Sequence, residues 1–109
     1  AATLLVASQA AAHAKLVSSN PAANATVAAP KTITLTFSEK LVPAVSKCDV
    51  VRPEHGGMKV AVKTAVAKDG KSLTGAPTAA LSAGAYKVVW TAATADGHKM
   101  SGEVAFKVD

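Results

Sequence analysis

Apolar and polar residues alternate in short runs along this chain, and that period of two confines it to β-structure. In Thr32-Ile33-Thr34-Leu35-Thr36-Phe37 the residues Ile33, Leu35 and Phe37 fall on one side, and the threonines on the other. Such a pattern, built from β-branched and aromatic residues, predicts a strand with one buried face. Residues 85–90 repeat it with Tyr86, Val88 and Trp90 together, and residues 103–108 with Val104, Phe106 and Val108. Weaker runs cover 15–18, 47–52, 59–64, 65–67 and 72–74. Asp69-Gly70 supplies a tight-hairpin signal, because glycine tolerates positive φ. Asn20-Pro21, Ala29-Pro30, Arg52-Pro53 and Glu54-His55-Gly56-Gly57 punctuate the rest. No helical period is sustained, and helix is confined to a turn or so after Glu39. About seven short strands with regular turns predict an all-β fold: a small antiparallel Greek-key sandwich or barrel.

A chain of 109 residues has room for one domain with one modest core. Half of the residues are hydrophobic, but alanine supplies much of that share and only 4% are aromatic. The core must therefore be Val, Leu and Ile around a few large rings. No stretch approaches the roughly 20 apolar residues that a membrane helix needs. The net charge is +5, yet the basic residues, from Lys15 through Arg52 to Lys107, are scattered singly. A nucleic-acid binder concentrates them on one face and adds rings for stacking, so this is a solvated basic surface. The single cysteine, Cys48, excludes an intrachain disulfide and sits in an alternating stretch, a buried strand position.

Residues 1–12 read as the remnant of a secretory signal with a small-residue cleavage site, leaving 13–109 as one exported domain. Ala10 and Ala12 supply the A-x-A pattern, and a cut after Ala12 exposes His13; Ser8 and Ala10 also allow a cut after Ala10. An N-terminal histidine brings two nitrogens, the α-amine and ring Nδ1, that can close on one metal ion. If residues 1–12 stay attached, that amine is lost. Asp96-Gly97-His98 offers a carboxylate and a second imidazole. Taken alone it is an ordinary turn between two strands. At i and i+2 of an extended segment, however, both side chains point to one side. With the first strand beside that hairpin, the donors are an amine, two imidazoles and a carboxylate.

Nitrogen and oxygen donors in a tetragonal array suit Cu(II), which heads the affinity order of divalent first-row ions. Zinc can use the same ligands but prefers a tetrahedron. Cu(I) wants sulfur. Each donor must lose its proton, and the amine titrates at about 7.7–8.0 and imidazole at about 6.5, so affinity falls as pH drops through that range. Binding would tie the first strand to the last hairpin and stabilise the fold by linkage.

His13-Ala14-Lys15-Leu16, Ser19-Asn20-Pro21-Ala22, the Ile-Thr-Leu-Thr-Phe-Ser-Glu run ending at Glu39, Tyr86-Lys87-Val88-Val89-Trp90, and the segment from Asp96-Gly97-His98 to Phe106 are quoted together for a reason. From His13 to its end the chain resembles the CopC family of periplasmic copper-resistance proteins. The resemblance implies a cupredoxin-like, immunoglobulin-like β-sandwich. It implies a Cu(II) site made by the amine and imidazole of His13 with Asp96 and His98. Glu39 would lie beside that site or bind weakly, unless it is a plain strand-end carboxylate.

Some family members carry a methionine- and histidine-rich loop for Cu(I). The matching region here holds only His55 in a glycine turn and Met58, which reads as packing, as does Met100. A Cu(II)-only type follows. The implied activity is carriage of Cu(II), with handover to a membrane copper transporter or other periplasmic copper proteins. No nucleophile arrangement or phosphate-cradling loop points to an enzyme. Two rivals stay open: an immunoglobulin-like structural or adhesion module without metal, and a copper mono-oxygenase with an N-terminal histidine chelate. The latter needs a broad aromatic substrate face.

Overall fold

The computed structural model describes residues 15–109, which form nine strands, two short 3-10 turns and no α-helix. One sheet has the order β1 (Leu16–Asn20), β3 (Ile33–Phe37), β7 (Ser72–Pro77), β6 (Val62–Val66). The other runs β2 (Thr26–Val27), β9 (Lys99–Val108), β8 (Gly84–Ala93), β4 (Lys47–Arg52), β5 (Met58–Val60). The neighbours β3–β7 and β4–β8 are joined by long crossovers, as Greek-key connections require. All pairs are antiparallel except β2 with β9, which run parallel over two residues. This is the expected all-β sandwich.

The alternation sets the core. Ile33, Leu35 and Phe37 from one sheet meet Tyr86, Val88, Trp90, Val104 and Phe106 from the other, and all are buried. Phe37 meets Trp90 edge-on at 5.0 Å, and Tyr86 stacks on Phe106 at 5.5 Å. Such ring pairs add to the area they bury. Two glycines permit close approach. A Cβ at Gly75 would lie 2.9 Å from Cys48 Sγ, and one at Gly102 would lie 2.6 Å from Trp90 Cζ2. Cys48 is buried as expected, and burial, with a smaller push from Asp49, raises its thiol to about 11. It is an inert core residue.

Three points depart from the sequence reading. The run 59–64 is two strands: β5 pairs with β4, β6 with β7, and the chain changes sheets at Ala61. Val60 and Val62 both pack on the core, so the period of two continues through the corner and hides it. Ala61 O accepts the Thr78 N–H at 3.0 Å, which holds the bend. Strand β2 has no alternation to announce it. The third concerns Met58, which is 56% exposed rather than packed. The turn after Glu39 is present as the 3-10 turn Pro43–Val45. Among the described residues no helix is long and apolar enough to cross a membrane.

Candidate metal centre

Strands β8 and β9 are joined through residues 94–98, beyond the last pair, Ala93 with Lys99. The Gly97 N–H donates to Thr94 O and the Thr94 N–H to His98 O, each at 3.0 Å. Gly97 has φ +91, which an L side chain rarely adopts, so glycine is required there. Asp96 fastens this loop with both of its oxygens. Its Oδ1 accepts from the Thr94 hydroxyl and from the His98 N–H at 3.2 Å. Its Oδ2 lies 2.8 Å from His98 Nδ1. The Thr94 hydroxyl first, and then the bonds from His98, hold the Asp96 carboxyl down at about 2. It is ionised at neutral pH and can only accept, which assigns the proton between them to His98 Nδ1. Both side chains are half exposed, open to a ligand yet fixed in direction.

The rest of the corner comes from elsewhere in the chain. After β3, residues 38–42 cross to this hairpin: Leu41 bridges to Thr94, and the Val42 N–H donates to Ala93 O at 2.8 Å. Glu39 and Asp96 thereby line one open groove of about 440 Å³, with Ser38, Lys40, Lys71 and Thr94. Lys15 enters beside it. Its N–H donates to Ser38 Oγ, and the Ser38 N–H donates back to Lys15 O, both at 3.0 Å.

The structure thus brings Asp96 and His98 together and puts Glu39 on the groove that Asp96 lines. His13, and the boundary after residue 12, lie outside the described residues. Among the described residues no group of three His, Cys, Asp or Glu is placed to hold a metal ion. Asp96 and His98 form a pair, short of such a group. His55 ends the 3-10 turn Pro53–His55 before two positive-φ glycines, and Met100 packs on the core. Thr94 was missed at the sequence level, although a threonine two residues before an Asp-Gly pair is a local hydrogen-bonding signal.

Residues 16–109 match the CopC domain family. The chain is 45% identical over 113 residues to Copper resistance protein C of Pseudomonas syringae pv. tomato, covering 99% of this chain and 90% of that protein. It is 43% identical over 109 residues to Copper resistance protein C of Xanthomonas campestris pv. juglandis, covering 95% and 86%. The crystal structure of PcoC, a methionine-rich copper resistance protein from Escherichia coli, superposes with TM-score 0.82 at 39% identity, over 89% of this chain and 99% of that one. CopC from Methylosinus trichosporium OB3b does so with TM-score 0.78 at 33% identity, over 89% and 94%. This chain has two methionines, Met58 and Met100, and in that respect departs from the methionine-rich relative. Family match, near full-length identity and shared fold agree, and the chain belongs to the CopC family.

Proposed function

We propose that this protein is an exported Cu(II) carrier that holds its cargo with the amine and imidazole of His13, Oδ2 of Asp96 and Nδ1 of His98. Glu39 stands on the same groove as an outer or weak partner. The observation that carries this reading is the 2.8 Å separation of His98 Nδ1 and Asp96 Oδ2. The turn fixes an imidazole and a carboxylate side by side, and nitrogen with oxygen donors suit Cu(II). Binding displaces the proton that His98 Nδ1 shares with Asp96.

The entry of the chain beside Ser38 supports the remaining donors. His13 precedes Lys15 by two residues, a reach of at most ~7 Å from a backbone already bonded to the groove. The copper resistance proteins named above agree with a copper cargo. The protein acts in the periplasm in copper resistance, as a carrier rather than an enzyme, and passes its ion to a membrane transporter or another periplasmic copper protein. Phe37, Tyr86, Trp90 and Phe106 are all buried, which leaves no aromatic face for a polysaccharide.

The test is a Cu(II) titration of the exported protein, with intact mass showing that it begins at His13. Tight binding with nitrogen hyperfine structure in its electron paramagnetic resonance (EPR) spectrum, lost in His98→Ala, is expected. Equal behaviour of wild type and His98→Ala would sink the reading and favour a structural module.

A further inference from the structure

We infer that Thr94 is the positioning residue of this site, the group that makes Asp96 a one-oxygen donor through Oδ2. The inference rests on the Cu(II) reading above and adds what selects the coordinating atom.

A carboxylate has about four lone-pair sites, two on each oxygen. Both on Oδ1 are filled, by the Thr94 hydroxyl and the His98 N–H. The ion is therefore left Oδ2, the oxygen already turned to the His98 ring. Bidentate binding, which would spread the carboxylate over two positions, is closed off. Thr94 can impose this because it is itself fixed: it is 6% exposed, its N–H and C=O close the turn, and its backbone bridges to Leu41. A β-branched side chain has few χ1 choices, which narrows the directions in which the hydroxyl can aim.

Packing does not explain the choice of threonine. Thr94 continues the buried end of β8 after Ala92 and Ala93, where an apolar residue such as valine would fill the same space. A buried hydroxyl costs stability unless it is bonded, and the hydroxyl here is bonded to Asp96. Its purpose is the carboxylate. Thr94 touches no ion. It acts through Asp96, as outer partners of metal ligands do.

Thr94→Val keeps the shape and deletes the hydroxyl, and Thr94→Ser keeps the hydroxyl. In the metal-free protein, nitrogen-15 shifts of the His98 ring should report the Nδ1–H tautomer in wild type and Thr94→Ser and a mixture in Thr94→Val. With copper, Thr94→Val should bind roughly tenfold to a hundredfold more weakly, with altered EPR hyperfine splitting, while Thr94→Ser follows wild type. Wild-type affinity and spectrum in Thr94→Val would overturn the inference and leave the Cu(II) reading standing. Absence of binding by wild type would overturn both. If Thr94→Val fails to fold, Thr94→Ala makes the same comparison without the hydroxyl.

Discussion

Two Asp-Gly turns close hairpins at neighbouring points of this molecule, and their aspartates are used differently. In Ala67-Lys68-Asp69-Gly70-Lys71 the Gly70 N–H donates to Ala67 O at 2.9 Å, as the Gly97 N–H does to Thr94 O at 3.0 Å. Both glycines have positive φ, +74 and +91. Both aspartates accept the N–H two residues ahead, from Lys71 at 2.9 Å and from His98 at 3.2 Å. The difference lies in the flanking side chains. Asp69 spends its oxygens on Lys71 N and on Ser72 N and Oγ, and so caps its own turn. Asp96 has one oxygen pinned by Thr94, where the other turn has Ala67, and the second facing an imidazole, where the other turn has a lysine. The same dipeptide serves as a structural clasp in one place and, in the function we propose, as a directed donor in the other. The residues two before and two after the aspartate decide which.

The largest expected effect separates the two carboxylates by what they hold. Asp96→Asn should cost at least about a hundredfold in Cu(II) affinity, more than loss of an outer partner, whereas Asp69→Asn should bind as wild type. Competition titration reads this, and equal affinities for the two variants would erase the distinction. Next come the glycines. Gly70→Ala and Gly97→Ala should each lower unfolding stability by about 1–2 kcal/mol, the cost of a left-handed L residue, measured by urea denaturation. Only Gly97→Ala should also weaken Cu(II) binding. At Gly70 the new methyl would meet just the flexible Lys40 side chain, at 3.3 Å, so the packing penalty there is small.

The smallest effect is one the turns share. Hydrogen bonds hold both carboxyls below their ordinary value of 3.8: Asp69 chiefly through the Lys71 N–H, and Asp96, at about 2, chiefly through Thr94. A depressed folded pKa adds stability above the unfolded value and loses it as pH falls through the folded one. The melting temperature of the metal-free protein should therefore fall from about pH 4 towards about pH 2. Asp69→Asn and Asp96→Asn should each flatten that acid arm. A variant curve parallel to wild type would show that its carboxylate contributes no such linkage.

Much of the fold was legible because a buried sheet face imposes a period of two on the residues that line it. Residues 33–37, 47–52, 85–90 and 103–108 carry that period and lie in strands as expected. Strand β2 was illegible because two residues are too few to show an alternation, although Val27 packs on the core and the Lys107 N–H donates to Ala25 O at 2.8 Å beside it. Met58 misled because an apolar residue type does not dictate burial, and an edge strand leaves one side open. Of the candidate site, Asp96 and His98 were readable as a pair from their spacing, but their separation and their shared proton were not.

The amino-acid order alone determined that the chain is an antiparallel all-β sandwich or barrel, which strand residues fill much of its core, and that an aspartate and a histidine share one hairpin tip. These are local facts, written in alternation and in turn chemistry. Only the tertiary structure decided that the segment after β3 crosses to that tip, that Glu39 and Lys15 arrive at the same corner, and that a buried threonine aims the carboxylate. Contacts between residues distant in the chain leave no periodic mark, because they depend on how two sheets stack and on which loop packs across their edge.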